Sequence, residues 1–261
     1  MNIVIETDSR ESETLYNTHL QSGEEFAYFK FLEWDTEFFK KPSYALDMSK
    51  SNFEPSEKAQ KKIVDHFSDS FITAKIDTRL DYKYTYFLQQ CHFYYVDTEI
   101  KLQHKGLLPA APINGVSIED VSSNENLPIR ELGEAFSLTR FHCDPHISAE
   151  QADRLWGSYL QNFTPSDTKK MYLAKVGGEI AGVILANLNE TENFLFFVAV
   201  LEPYRSQKIG SVLMDHALQS LQNKKPVCTG TQAKNITALN FYIRNGFSKI
   251  VQTNTVMHYW S

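Results

Sequence analysis

The segment from Phe194 to Gln222, FLFFVAVLEPYRSQKIGSVLMDHALQSLQ, constrains this chain more than any other. Its first part, Phe194 to Val200, is an unbroken apolar run of strand length, as expected of a strand buried on both faces. Pro203 cannot donate to a ladder and stops that strand. Beyond the polar turn Tyr204-Arg205-Ser206-Gln207-Lys208, apolar residues recur at Ile209, Val212, Leu213, Ala217 and Leu221, the spacing of a helix with one core face. A strand, a cationic turn and a helix start together suit an anion. The first helical N–H groups have no intrahelical partner and carry partial positive charge. Arg205 and Lys208 add full charges, and Gly210 allows a ligand close to the backbone. The same order of elements also suits an ordinary crossover with basic residues in water, and the segment alone leaves both readings open.

A chain of 261 residues has room for one large or two modest domains and for a core without staples. Its net charge of −6 argues against non-specific nucleic-acid binding, which rests on neutralising phosphates. Cys91, Cys143 and Cys228 are odd in number, far apart and outside any CxxC, so neither a disulfide framework nor a metal site is expected. That usage fits a reducing cytoplasm. The start, MNIVIETDSRESETLYN, is too polar and acidic for a signal peptide, and no apolar run approaches the ~18 residues of a membrane span.

Along the chain, residues 1 to about 22 read as a polar, partly loose extension, and Phe26 to Leu32 as a strand. Trp34, Phe38 and Phe39 form a dense aromatic group, either packing to close a loop or lining a binding cleft. A strand at Tyr44–Met48, a helix at Pro55–Phe67, a strand at Ser70–Ile76, a helix at Leu80–Cys91 and a strand at Phe93–Gln103 follow. LLPAAPING, Leu107 to Gly115, marks a boundary between an N-terminal lobe, residues 1–110, and a second domain, residues 116–261. There a strand at Val116–Val121 precedes a helix at Glu125–Ser137 and an irregular stretch, Thr139 to His146. Ser148 and Gln151 form a capping box for a helix reaching about Asn162. Gly177-Gly178 sets a hairpin over Met171–Asn187. After the central segment come a strand at Pro226–Thr231, a helix at Asn235–Asn245 ended by Gly246, and a strand at Phe247–Trp260. The stretch around Tyr86–Leu102 echoes that from Phe241 onward, with Phe93 opposite Phe247, Leu88 opposite Tyr242 and His92 opposite Gly246.

Two motifs make residues 116–261 resemble the GNAT acyl-CoA N-acyltransferase superfamily. The first is (Gln/Arg)-x-x-Gly-x-(Gly/Ala), standing as Arg205-Ser206-Gln207-Lys208-Ile209-Gly210, with Lys208 in place of a glycine. The second is Asn-x-x-Ala-x-x-x-Tyr-x-x-x-Gly-Phe, intact at Asn235, Ala238, Tyr242, Gly246 and Phe247. Over most of the chain, WDTEFFKKPSYAL, LQQCHFYYVDTEIKL, AFSLTRF and TQAKNITALNFY are similar to dTDP-fucosamine N-acetyltransferases. The resemblance implies an α/β (α+β) protein. Its GNAT domain would have a central mixed, mostly antiparallel sheet flanked by helices. A smaller N-terminal α/β lobe on the acceptor side would be a degenerate GNAT-like half. It implies an enzyme moving an acetyl group from acetyl-CoA to the amine of a dTDP-4-amino-4,6-dideoxyhexose-type substrate by direct attack, with no metal. The oligomeric state is open and includes a homodimer.

By the same resemblance, backbone groups of Val198 and Val200 pair with the pantetheine arm. Amides from Arg205, Ser206, Gln207, Lys208, Ile209, Gly210 and Ser211 hold the pyrophosphate, and Asn235 hydrogen-bonds the cofactor. Tyr242 aligns with the acid that protonates the leaving thiolate. A tyrosine of pKa ~10 and a thiol of ~8.5 make full transfer in water uphill by ~2 kcal/mol, so a hydrogen bond to the sulfur is the smaller demand. His142, Asp144, Glu190 and Glu192 are candidate bases, and a water relay is the alternative. A nucleotide diphosphate between the lobes wants a forked donor, for which Arg140 and then Arg154 are candidates. A base would stack on Trp34, Phe39, Phe141 or Trp156. Arg140 is equally suited to an ordinary ion pair. The competing functions are acylation of another amine, such as a protein N-terminus, polyamine or antibiotic, and a non-catalytic CoA-binding module.

Overall fold

A computed structural model describes residues 1–7, 10–80, 82–106, 112–122, 127–221 and 225–261, without the side chains of residues 10–13 and 15. The chain forms two compact units, Met1–Glu99 with Thr253–Ser261, and Ile100–Gln252. Part of the expected linker, residues 107–111, lies outside the described residues.

In the first unit, β1 (Asn2–Glu6), β2 (Phe26–Phe31), β3 (Ser43–Leu46) and β4 (Phe71–Asp77) line up in that order, followed by the last strand of the chain, β11 (Lys249–Trp260). Strand β1 runs parallel to β2, β2 antiparallel to β3, β3 parallel to β4, and β4 antiparallel to β11. The helices are α1 (Arg10–Ser22), α2 (Glu33–Phe39), α3 (Glu57–His66) and α4 (Tyr82–Gln90), with β5 (Tyr94–Gln103) after α4. The described residues of 1–22 are therefore not a loose extension. Strand β1 completes the sheet edge by pairing Val4 with Tyr28, and Tyr16 of α1 meets the Tyr28 ring edge-on at 4.9 Å. The periodicity that identified α3 is its burial, since Ala59 and Ile63 face the core with Phe29, Phe67, Ile72 and Phe93. Ser56 caps α3, accepting the Ala59 N–H at 3.2 Å.

In the second unit the strand order is β5, β10 (Val227–Gln232), β9 (Asn193–Val200), β8 (Glu179–Leu188), β7 (Lys169–Val176) and β6 (Val116–Val121). The β6, β7, β8 and β9 strands form an antiparallel meander, and β9 then runs parallel to β10. Gly177 and Gly178 both take positive φ, 58° and 91°, which a tight two-residue hairpin turn demands and a side chain resists. One face of this sheet buries Tyr172, Ile184 and Leu195 with Leu213 and Met214 of α7 (Ile209–Ser220) and Tyr242 of α8 (Ile236–Arg244). The other buries Leu173, Val183 and Phe197 with Leu132 of α5 (Ile129–Glu134) and Leu160 of α6 (Ala149–Gln161). The capping box at α6 is present with both of its hydrogen bonds. The helix expected over Glu125–Ser137 is shorter. Residues 123–126 are outside the described set, and α5 starts only after Pro128, whose ring disfavours helical backbone in the residue before it.

The α4–β5 and α8–β11 connections share one backbone design. The Phe93 N–H reaches the Leu88 carbonyl at 2.9 Å, and the Phe247 N–H reaches the Tyr242 carbonyl at 3.0 Å. His92 and Gly246, one residue earlier, are both left-handed, at φ 66° and 85°. The sequence echo thus marks a repeated helix stop.

Candidate active site

Strand β9 departs from its expected burial. Fully buried residues alternate with partly covered ones from Asn193 to Val200, so only alternate side chains are sealed in the core. The register against β8 also shifts: Leu185 opposes Phe197, Ala186 opposes Leu195, and Phe196 is the extra residue of a β-bulge. The bulge changes which face each side chain takes. Leu195 and Val198 both pack on the α7–α8 side, three residues apart, while Phe196 and Phe197 both pack on the α5–α6 side. Pairing with β10 ends where the bulge begins, at Thr229 opposite Leu195. Beyond it no strand among the described residues pairs with that edge of β9. The Leu201 N–H goes to Ala181 at 2.9 Å at the β8 side, so Ala199 and Phe197 also direct their backbone groups to β8. Val198 and Val200 turn theirs to the opposite edge, where the Val200 carbonyl takes the Arg205 Nε–H at 3.0 Å. The two residues expected to offer backbone bonds to an extended ligand are those with backbone groups at the open edge.

The cationic turn follows through a short 3-10 turn, Glu202–Tyr204. Ser206 and Lys208 are both left-handed, at φ 63° and 62°, and among the described residues the amides of Ser206 to Gly210 meet no carbonyl. Successive free amides opening a helix form a concave anion site. Lys208 precedes α7 without a side-chain cap, and its own carbonyl accepts from Ser211 and Val212 at 3.0 and 3.2 Å. The family pattern's glycine at this position is thereby explained, since the backbone is left-handed there. Gly210 serves packing. A Cβ on it would stand 3.3 Å from Val200 Cγ2 and 3.2 Å from Phe241 Cε2, so its small size brings α7 against β9 and α8. Arg205 ties the turn to β9 through Nε, and the Gln207 side chain donates to the Pro203 carbonyl at 2.9 Å.

Tyr242 is 7% exposed, and its ring packs against those of Phe241 and Phe247, with centroids 5.5 and 5.8 Å apart. The Thr229 hydroxyl donates to the Leu195 carbonyl at 2.9 Å, and Thr229 is near enough to the phenol to act on its ionisation. The phenol thus stands at the point where β9 and β10 part. Burial raises its pKa, and the Thr229 contact lowers it by less, so the group stays protonated. Asn235 is the N-cap of α8, with Oδ1 accepting the Ala238 N–H at 3.0 Å. Its carbonyl oxygen is used in folding, which leaves its amide NH2 for a ligand.

Thr139–His146 is a run of tight turns. The N–H groups of His142, Cys143 and Asp144 reach the carbonyls of Thr139, Arg140 and Phe141 at 3.0, 3.3 and 3.4 Å. Arg140 lies over the Phe141 ring at 4.5 Å, and its Nε is buried with no hydrogen-bond partner among the described residues. The Trp156 Nε1 is in the same condition. A buried donor without an acceptor is costly. Arg154 is on the exposed side of α6, its charge acting on Glu150. Trp34 and Phe39 belong to the first unit. Trp34 stacks on Phe38 with centroids 5.5 Å apart, Phe39 meets Trp260 edge-on at 5.3 Å, and no residue of α2 is buried. Of the candidate bases, Glu192 pairs with Lys101 at 2.6 Å and Asp144 with His146 at 3.3 Å. His142 is held by Thr139 and Asp153, at 2.8 and 3.0 Å. Thr139, Asp153, Thr229 and the Phe196 bulge were not signalled by spacing, because each acts through a contact between separate elements.

The acetyltransferase (GNAT) family model matches residues 134–247. The second unit has the GNAT acetyltransferase fold. GNAT solved structures resemble the chain at low identity. A GCN5-related N-acetyltransferase from Kribbella flavida aligns with TM-score 0.59 and 16% identity over 83% of this chain and 80% of that one. A tandem GNAT protein from the clavulanic acid biosynthesis pathway aligns with TM-score 0.54 and 13% identity over 84% and 75%. In sequence, the spore coat polysaccharide biosynthesis protein SpsD of Bacillus subtilis (strain 168) is 26% identical over 129 residues. That alignment covers 49% of this chain and 44% of SpsD, so the chain spans less than half the length of this relative. The GNAT match includes the β9 edge, the α7 turn and Tyr242. Among the described residues no group of side chains could hold a metal, and no helix is long and apolar enough to cross a membrane.

Proposed function

We propose that the protein is an acetyl-CoA-dependent N-acetyltransferase whose acceptor is the amine of a nucleotide-linked amino-deoxy sugar, of the dTDP-4-amino-4,6-dideoxyhexose type. The observation that carries the acyl-transfer reading is the open edge of β9 at Val198 and Val200, continuous with the free amides of Ser206–Gly210. GNAT proteins generally use acetyl-CoA. An extended pantetheine arm fits a strand edge, and a pyrophosphate fits amides at a helix start. When bound, the cofactor supplies the activated acetyl group. The chain holds the reactants in line, which is the main source of rate here. Tyr242, kept protonated by burial, supplies a hydrogen bond for the developing thiolate.

The sugar-nucleotide acceptor is supported by Arg140, a forked donor with a buried, unmatched Nε beside an aromatic ring, and by the polysaccharide-biosynthesis role in SpsD's name. Thiol release from acetyl-CoA tests the reading against a panel of dTDP-4-amino and dTDP-3-amino sugars, polyamines, aminoglycosides and peptide N-termini. The expected result is turnover with the 4-amino sugar nucleotide and a ~10²-fold or greater loss in Tyr242→Phe with CoA affinity kept. Turnover confined to another amine would refute the acceptor, and CoA binding without turnover on any amine would refute the enzyme.

A further inference from the structure

The histidine of the Thr139–His146 turns has both ring nitrogens engaged, by residues from two elements. His142 Nε2 lies 3.0 Å from Asp153 Oδ1 on α6, and Nδ1 lies 2.8 Å from Thr139 Oγ1. The His142 side chain is only 9% exposed, and Thr139 is 4% exposed. An ionised carboxylate only accepts, so Nε2 carries a hydrogen and donates to Asp153. In the neutral ring Nδ1 is then the lone-pair nitrogen, and the Thr139 hydroxyl donates to it. The arrangement is carboxylate, imidazole, hydroxyl, in hydrogen-bonded order, with the hydroxyl's proton directed into the imidazole. A protonated ring keeps both contacts, now donating from Nδ1 to Thr139, so both states fit one geometry.

Two contacts tie the neighbours of this triad to β9 and to the segment after β10. Lys234, in the turn from β10 into α8, donates to Cys143 Sγ, and the Cys143 thiol reaches the Thr139 carbonyl at 3.0 Å. On α6, Asp153 is one turn before Trp156, whose ring centroid is 5.9 Å from that of Phe197 in β9, immediately after the bulge. The turns are therefore tied to the segment just after β10 and, through α6, to β9 just past its bulge.

We infer that Thr139, His142 and Asp153 form the proton relay that deprotonates the acceptor amine, an inference resting on the acetyltransferase reading above. For an amine arriving neutral, the C–N bond forms and the C–S bond breaks. The nitrogen's proton passes to Thr139 Oγ1 as the Thr139 proton passes to His142 Nδ1, and Asp153 stabilises the resulting imidazolium. Tyr242 holds the departing thiolate by a hydrogen bond. The imidazolium proton then leaves to water, and the thiolate takes its proton from water. Thr139 is the catalytic residue, His142 its proton acceptor, and Asp153 a positioning residue.

The test uses the full chain, with the amine the acceptor panel identifies, and reads kcat, both KM values, the thermal midpoint and the solvent deuterium isotope effect on kcat. Thr139→Val, which keeps shape and removes the hydroxyl, is expected to lower kcat by ~10²-fold with both KM values within about 3-fold. Thr139→Ser is expected to retain kcat within about 3-fold, and Asp153→Asn to lower it at least ~10-fold. A Thr139→Val protein with wild-type kcat overturns the relay. So does a loss shared equally by Thr139→Ser and tracking a fall in midpoint, which would make the triad a structural clip. If Thr139→Val does not fold, an unchanged kcat and isotope effect in Asp153→Asn overturns it. A wild-type protein that releases no thiol with any amine overturns the acetyltransferase reading and the relay together, whereas an active wild type with indifferent variants overturns the relay alone.

Discussion

Lys208 is the place where local backbone cost and ligand binding can be separated by substitution. Its φ of 62° and ψ of 5° lie in the left-handed region, which costs a residue with a Cβ about 1–2 kcal/mol. Glycine removes that cost but gives the unfolded chain more freedom, returning about 0.4–1 kcal/mol. Lys208→Gly should therefore stabilise the protein by about 0.5–1 kcal/mol, or roughly 1–4 °C in midpoint at ~2–4 °C per kcal/mol for a unit of this size. Lys208→Ala keeps the strained φ and should stay within about 0.5 kcal/mol of the wild type, since no cap bond from the side chain is lost. Binding should separate differently. If the amides of Ser206–Gly210 do most of the holding, loss of one exposed ammonium removes about 0.2–1 kcal/mol, at most ~5-fold in CoA affinity, in both variants. That loss should shrink as salt is raised, because exposed charges are screened. Differential scanning fluorimetry and calorimetric CoA titrations at low and high salt read both effects. A Lys208→Gly protein less stable than Lys208→Ala would refute the strain argument. A loss beyond ~10-fold that persists at high salt would refute the amide cradle and make the Lys208 side chain a principal ligand.

Other outcomes follow from the same structure. Gly246 at φ 85° ends α8, so Gly246→Ala should cost about 1–2 kcal/mol, whereas His92→Gly at the matching position, φ 66°, should leave stability equal or higher; urea midpoints compare them. Burial holds the Cys91 thiol at about 12 and the Cys228 thiol at about 11, while Cys143 is partly exposed. Iodoacetamide at pH 8 should then label the native protein once, at Cys143, with the other two reacting only after unfolding, as peptide mass spectrometry will show. Burial also lowers the His104 pKa below its ordinary 6.5, and its Nε2 is enclosed without a partner among the described residues. The folded state then binds fewer protons than the unfolded one as pH falls below about 6.5, so this contribution is complete above that pH and declines below it. His104→Phe should flatten the denaturation midpoint between pH 5 and 7.5, and an unchanged slope would assign the acid sensitivity elsewhere.

The elements that sequence made legible are those whose pattern is local. The α3 periodicity, the Ser148 capping box, the Gly177–Gly178 hairpin and the Gly246 stop each rest on residues within a few positions of one another, and each is present. The order of strand, cationic turn and helix that opens α7 was equally readable, because Pro203 and the apolar spacing bound it on both sides. What escaped depends on partners distant in sequence. Residues 1–22 look polar because β1 is short and α1 covers it on one side only, so their order comes from pairing with β2. Gly210 reads as a ligand glycine until Val200 and Phe241 are seen beside it. The Thr139–His142–Asp153 chain bridges a turn and a helix with no shared spacing, and a lone histidine in an irregular stretch gives no sign of it.

The β9 bulge is the least visible of these features in sequence and the one on which the candidate site depends most. A regular strand from Asn193 to Val200 beside β10 could continue its ladder past Thr229 and leave no edge for a ligand. One extra residue, Phe196, bends the strand and increases its twist, and the pairing with β10 stops at the preceding residue. The side chain of that extra residue is held from the α6 side, with Tyr159 and Phe163 centroids 5.5 and 5.8 Å from its ring. Packing on one face of the sheet thus maintains the opening at the strand's edge, while Thr229 closes its inner end by bonding Leu195. On this reasoning the aromatic grip on Phe196 has a function beyond stability. Phe196→Ala removes that grip. It should weaken CoA binding more than a Leu160→Ala cavity deeper in the same core, at comparable loss of stability. Equal CoA affinity in the two variants would show that the edge stays open without the aromatic hold.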